Sequence, residues 1–481
     1  MSRTSKSLSA ALLAVLFATV VLAEDRFELT YAKTFKYHGG RVTVEHAFGD
    51  VAVTTGSESV VNVRATIRAS DPDFGKQIRI TTSETNGISV KTEYPEHYSH
   101  IGNFSYSVDY RITVPANAPL TIRNRFGGIE ASGIGTSSEF INSQGSVSLR
   151  EVRGAQRVEN AFGSIEVSNS GGPLTLKNAN GSISAREISG NLDATNRFGS
   201  VEVMNAHENV TIRNANGSVG ARAVGGSLSV VSSFASVTAT DINGQLDVTN
   251  ANGRVEVRNV AGNATLKTTY GSVQANDVKG SLIVTAQNSR VEARTVGGSA
   301  TIGTTFGSVD VRDITGSLRI TSQNGSITSD NSGEFTADTR FGSVSASHIR
   351  GSADVDNANG SVQLSDVARD ARVRTSFASV FVKGAGGAID IENQNGAIGV
   401  SGLSGGCKPV TLKTSFSSIK VAVPSSASYS INARTSFGRI NSALPITMTS
   451  SSDESLVGTI GGGTCHMELV NSNGSITIEK E

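Results

Sequence analysis

"NANGSVGARAVGGSLSVVSSFASVTATDINGQLDVTNANGRVEVRN", residues Asn214 to Asn259, repeats one phrase three times at 18-residue intervals: "NGSV", "FASV" and "NGRV". The residue that opens the phrase alternates between asparagine and phenylalanine. Extended along the chain, the series runs Phe126, Gln144, Phe162, Asn180, Phe198, Asn216, Phe234, Asn252, Tyr270, Asn288, Phe306 and Asn324. It resumes after one deletion as Phe341, Asn359, Phe377 and Asn395, then loosens through Phe416, Phe437 and Asn473. Self-similarity at fixed spacing over hundreds of residues is the signature of a solenoid, in which each unit buries its apolar face only against its neighbours.

Within each unit apolar residues alternate with polar ones, as in "SVEV" at Ser200 to Val203 and "GQLDV" at Gly244 to Val248. A period of two rich in β-branched residues marks half-buried strands, and the glycines of "ISG", "VGG", "ING" and "VKG" break each unit into two strands joined by a tight bend. The expected fold is all-β, a parallel β-solenoid. Two coil lengths are open. A coil of 18 residues would stack Phe on Asn on Phe along one edge. A coil of about 36 residues, made of two unlike halves, would instead gather Phe162, Phe198, Phe234, Tyr270 and Phe306 in one ladder, and Asn180, Asn216, Asn252, Asn288 and Asn324 in another. Like would then stack on like across the ~4.8 Å strand spacing, and the longer coil is the favoured expectation. Arg150, Arg186, Arg222, Arg258 and Arg294 recur at the same 36-residue interval.

Composition bounds the function. With 42 basic and 42 acidic residues the chain is neutral, which argues against bulk electrostatic binding to nucleic acid or anionic lipid. Residues 1–23, "MSRTSKSLSAALLAVLFATVVLA", place Arg3 and Lys6 before an apolar run ending in small residues, the form of a secretory signal peptide. No later segment is apolar enough for a membrane helix. The expected location is therefore the periplasm, the cell surface or the medium. Cys407 and Cys465 are the only cysteines, and an oxidising compartment would allow them to pair. The organisation read from the chain is a signal peptide (1–23), an N-terminal β cap region (24–122), regular repeats (123–420) and a C-terminal end and cap (421–481).

These stretches resemble the bacterial "putative adhesin" β-strand-repeat family, through "YRITVPANAPLTIRNRFGGI" at Tyr110 to Ile129, the "NGSV/I" units and the ending "ARTSFGRINSALPI", "GTIGGG" and "VNSNGSITI". The resemblance implies a right-handed β-solenoid outside the cytoplasm, with a role in attachment or envelope organisation. It brings no catalytic residues.

A search for chemistry finds little. No nucleotide-binding loop or calcium nonapeptide occurs, and "DVDNANG" at Asp354 to Gly360 misses the calcium-loop spacing. No cofactor or metal is expected. Serines lack an elbow motif and a His/Asp partner. A carbohydrate-active enzyme of the parallel β-helix type is the alternative, but the acids are scattered and there is no tryptophan. An envelope regulatory or sensing domain is the third reading. The expectation is a non-enzymatic structural or adhesin-like module whose partner is a glycan or an envelope protein. Two surfaces are candidates for binding. One is the segment Thr92 to Tyr110, which breaks the repeat and gathers Tyr94, His97, Tyr98, His100, Phe104 and Tyr106. The other is the arginine series, which would form a basic stripe unless its members are simply solvated beside Glu151 and Glu187.

Overall fold

In the computed structural model the described residues are 27–57, 59–96, 104–403 and 406–481, so the leader-like segment lies outside them. One unit shows how the sequence becomes structure. Leu174–Asn180 is a strand, Gly181 and Ser182 turn the chain, Ile183–Ile188 is a second strand, and Ser189 to Asn191 bend it into the next unit. Leu174, Leu176, Ile183, Ala185 and Ile188 are buried, while Thr175, Lys177, Ser184 and Arg186 face outward. Each Leu or Ile so buried contributes about 1.5–3 kcal/mol relative to exposure, and Ala185 less.

The register fixes the coil. Leu174 pairs in parallel with Gln156 on one side and with Leu192 on the other. One coil is therefore 18 residues, not the 36 that like-on-like stacking favoured. Long strands form one parallel sheet and short strands another, facing each other across a thin aliphatic core. Seventeen coils repeat this plan from Leu120–Phe126 to Val410–Phe416, with a one-residue deletion between Leu318 and Phe335 and a three-residue insertion between Ile389 and Val410.

The consequence is that Phe162, Asn180, Phe198 and Asn216 are successive register partners in a single column. The physical reason lies in the amides. Asn180 Nδ2 donates to the carbonyl of Ala161 at 3.2 Å, Asn216 Nδ2 to Arg197 at 3.3 Å and Asn252 Nδ2 to Ser233 at 3.3 Å. Each asparagine ties itself to the backbone just before the aromatic of the preceding coil, so a compact amide lies between bulky rings. Ring-on-ring stacking at strand spacing occurs at the N-terminal end, where Phe48 and Phe126 lie 4.9 Å apart and 9° from parallel. Further along, large alternates with small.

Extra strands cover both sheets at the N-terminal end and the long-strand sheet at the C-terminal end, as a solenoid requires of its open edges. At the N-terminal end Phe27–Lys36, Val60–Ala69 and Tyr106–Val114 pair antiparallel over one sheet, and Arg79–Ser83 pairs antiparallel with Gly87–Glu93 over the other. At the C-terminal end Tyr429–Thr435, Ser455–Ile460 and Thr447–Ser451 close the long-strand sheet antiparallel. Cys407 and Cys465 form a disulfide across this end, with Cα atoms 5.1 Å apart. Among the described residues no helix is long and apolar enough to cross a membrane.

Candidate binding surface

Two columns invisible to a hydrophobic pattern shape the outer surface. The first is a row of buried asparagines two residues before the corner: Asn142, Asn160, Asn178, Asn196 and Asn214. Each donates its amide to the turn carbonyl one coil back, as Asn178 Nδ2 does to Gly163 at 2.8 Å and Asn214 Nδ2 to Gly199 at 3.1 Å. A buried carbonyl without a partner costs about 1–3 kcal/mol, so this row makes the tight x-Gly-Ser corner affordable inside the fold. The sequence carries this signal as the first asparagine of "NAN" at Asn178 and Asn214, which the 18-residue series of corner residues does not include.

The second is a left-handed column near the end of each short strand. Glu187, Asn205, Asp241 and Asn259 have φ between 55° and 59°, the region where Asn and Asp are enriched. The kink lets two successive residues point outward, Arg186 and Glu187 for example, before Ile188 turns back into the core. Side chains here pair along the axis: Asn259 Nδ2 donates to Asp241 at 2.8 Å and Asn331 Nδ2 to Asp313 at 2.7 Å. His348 joins the same column, and its hydrogen bond to Asp330 raises the imidazole pKa and lowers that of the carboxyl.

The arginine series sits beside this column. Arg186 and Arg222 are separated by Met204, and Arg222 and Arg258 by Thr240, so the cations stand on alternate coils. Arg222 lies 3.8 Å from Asp241, and Arg258 is ion-paired with Glu256. These are exposed pairs in a mixed-charge sheet, worth little individually. Arg150, Arg186 and Arg294 are likewise exposed.

The aromatic segment is divided. His97, Tyr98 and His100 lie outside the described residues. Tyr94, Phe104 and Tyr106 pack with Phe48 and Phe74 over the first coil, with ring centroids 4.6 to 5.6 Å apart. Burial pushes the Tyr94 phenol pKa up, and its hydroxyl donates to the Phe48 carbonyl at 3.4 Å. Beneath them buried His46 contacts Thr92 at 3.1 Å, and Thr92 contacts the Tyr110 hydroxyl at 2.6 Å. Burial lowers the His46 pKa to about 4.

A third feature is the corner edge itself. Phe162, Phe198, Phe234, Tyr270, Phe306, Phe341, Phe377 and Phe416 are 44% to 55% exposed, so these rings do not seal the core as a stacked interior ladder would. Single exposed apolar residues need no explanation, but a column of them on alternate coils does. Immediately beside the edge, on the outer face of the long strands, runs a shallow groove of about 740 Å³ floored by Ala161, Ala179, Ala215 and Ser233. Its rim carries Glu159, Lys177 and Arg213. Arg197 lies in the groove with its guanidinium 5.3 Å from the centre of the Phe198 ring, joining groove and edge. Further along the same face a groove of about 550 Å³ is lined by Asp356, Arg374 and Glu392, where burial first and the neighbouring Asp354 second raise the Asp356 pKa. Among the described residues no group of His, Cys, Asp and Glu is arranged to hold a metal ion.

Comparison with known proteins follows this geometry. Residues 315–479, about a third of the chain, match the family described as Toastrack DUF4097, which bears out the resemblance drawn from the repeats. No curated protein matches the chain. Among solved structures, a "putative cell adhesion protein" from Clostridium sporogenes is 8% identical over 95% of this chain and all of its own, with a TM-score of 0.20. A "putative adhesin" from Parabacteroides distasonis is 9% identical over 70% of this chain and 97% of its own, at 0.16. A "putative lipid binding protein" from the same species is 13% identical over 69% and 96%, at 0.17. At such TM-scores the chains do not superpose as whole bodies.

Proposed function

We propose that this chain, with its Toastrack-type repeats, is an exported, non-enzymatic β-solenoid that serves as a structural or adhesin-like module of the cell envelope or surface. The observation that carries the reading is the half-exposed aromatic column, repeated on alternate coils along the axis and exposed where no core packing requires it. A rod with one contact feature repeated along its length suits attachment to something extended. The family match supports a repeat-built module, and the leader-like residues 1–23 together with the Cys407–Cys465 disulfide support export to an oxidising compartment. In this reading residues 24–122 and 421–481 are the two end regions and 123–420 the presenting rod.

The test is retention of the purified exported chain on isolated bacterial envelope and surface-polysaccharide fractions, with soluble sugar and peptide fragments measured in parallel. Saturable retention without fragment release is expected. Release of fragments that grows with time would contradict the non-enzymatic reading, and absence of retention on every fraction would contradict attachment.

A further inference from the structure

We propose that the corner edge and its adjoining groove form a binding track for an extended acidic polysaccharide, laid parallel to the solenoid axis. The proposal rests on the attachment reading above and names its ligand chemistry.

Three observations converge on one strip of surface. First, the pitch is regular. Phe162, Phe198 and Phe234 stand on alternate coils, and two coils advance the axis by about 9.6 Å, roughly the length of an extended disaccharide. Exposed aromatic faces offer rigid apolar area at low entropic cost, suited to the apolar faces of sugar rings. The intervening Asn180 and Asn216 remain partly exposed and place an amide between successive rings, where a sugar hydroxyl needs a hydrogen-bonding partner.

Second, the floor admits a chain. The groove beside the rings is lined by Ala161, Ala179, Ala215 and Ser233, side chains too short to obstruct a flat polymer.

Third, the charge of the floor column has one sign, while the rim beside it is mixed, Glu159 with Lys177 and Arg213 and, further along, Asp356 and Glu392 with Arg374. The floor column from Arg125 to Gln394 contains Arg125, Arg197 and Arg340 and no carboxylate. Among the described residues none of the three has an acidic side chain within ion-pair distance. Arg125 and Arg197 lie over the rings of Phe126 and Phe198, each 5.3 Å from the ring centre. On the short-strand face, Arg258 and Arg312 are by comparison paired with acids. An unneutralised guanidinium held beside an aromatic platform matches a uronate carboxylate next to a sugar face. A repeating polymer can use every period of a repeating track, whereas a folded partner presents no matching period.

The experiment measures binding of the full exported chain to β-1,4-linked polymannuronate oligomers of increasing length, with neutral β-1,4-linked gluco-oligosaccharides as the comparison. Polymannuronate affinity is expected to rise with length and fall with salt, and to exceed that for the neutral series. Because asparagine already occupies alternate positions of the same column, Phe198→Asn with Phe234→Asn is the variant of choice. It should lower affinity about tenfold while the thermal midpoint stays unchanged. Arg197→Gln should weaken acidic oligomers selectively and flatten the salt dependence. No binding of polymannuronate, or binding that the aromatic pair and Arg197→Gln leave intact, overturns the proposal. So does a change of oligomeric state in the aromatic variant without a change in sugar binding, which would assign the edge to self-association. Retention on envelope fractions with no polymannuronate binding would sink the acidic-glycan proposal and leave the attachment reading standing; failure of both removes both.

Discussion

Phe198 and Asn216 are register partners on adjacent coils, and the Asn216 amide reaches back 3.3 Å to the carbonyl of Arg197, the residue before the ring. This contact between unlike neighbours is the unit from which the corner edge is built. It explains an alternation that looks, in the sequence, like the sign of a longer repeat.

The buried asparagine row is expected to matter more than the visible one. Asn214 donates to the carbonyls of Gly199 at 3.1 Å and Gly217 at 2.8 Å. Asn214→Ala leaves both without that donor and should cost about 1–3 kcal/mol. Asn214→Ser should cost less, since Ser232 occupies the same position one coil on. Because coils open locally, hydrogen exchange of the 192–252 coils is the measurement, with faster exchange confined to them.

One corner carries relievable strain. Ala235 holds φ at 97° in a column where Gly217 and Gly253 sit at 129° and 124°. A residue with a Cβ pays about 1 kcal/mol or more in that region, so Ala235→Gly should stabilise the surrounding coils by about that amount. A raised denaturation midpoint checks it, and Ala378→Gly, at φ 81°, should behave alike.

The N-terminal end should weaken in mild acid. His46 is buried with its pKa lowered by burial to about 4, against an ordinary 6.5. Between these values the unfolded chain binds the proton and the folded one does not. Stability is therefore fully present above about pH 6.5 and falls as the pH drops toward 4, by up to about 3 kcal/mol. Exchange of the Thr92 and Tyr110 amides against pH should show this slope, and His46→Gln should flatten it.

Reduction should loosen one end only. The Cys407–Cys465 bridge closes 58 residues of sequence, which in the chain-entropy model corresponds to about 4 kcal/mol. Cys407→Ser with Cys465→Ser is expected to raise proteolysis in residues 406–481 while the coils from 120 to 380 keep their protection.

Much of the architecture was legible. Alternation in "LTLKNAN" and "ISAREI" gave the two strands of a coil, and the recurring "GS" gave the corner. The coil length is not legible from the alternation, because like-on-like stacking is not required. The fold instead satisfies Phe and Asn side by side, through an amide-to-backbone bond that no periodicity reveals. The exposure of the rings is not legible from alternation, which points a corner residue inward. Asn160 takes the inward position, leaving Phe162 at the edge. The left-handed column is partly legible in Asn205, Asp241, Asn259, Asp277 and Asp313, residue types that tolerate a positive φ, whereas Glu187 and Thr295 do not announce one.

The register of the corner edge is tested most directly by paired cysteines. Phe198→Cys with Asn216→Cys places the two on adjacent parallel strands, about 4.8 Å apart and within the Cα range of a disulfide; Phe198→Cys with Phe234→Cys places them about 9.6 Å apart, beyond it. Under mild oxidation the account expects the 198–216 bond to form, by peptide mass mapping, and the 198–234 bond not to form. A 198–234 disulfide, with none between 198 and 216, would contradict the 18-residue coil and the edge built on it.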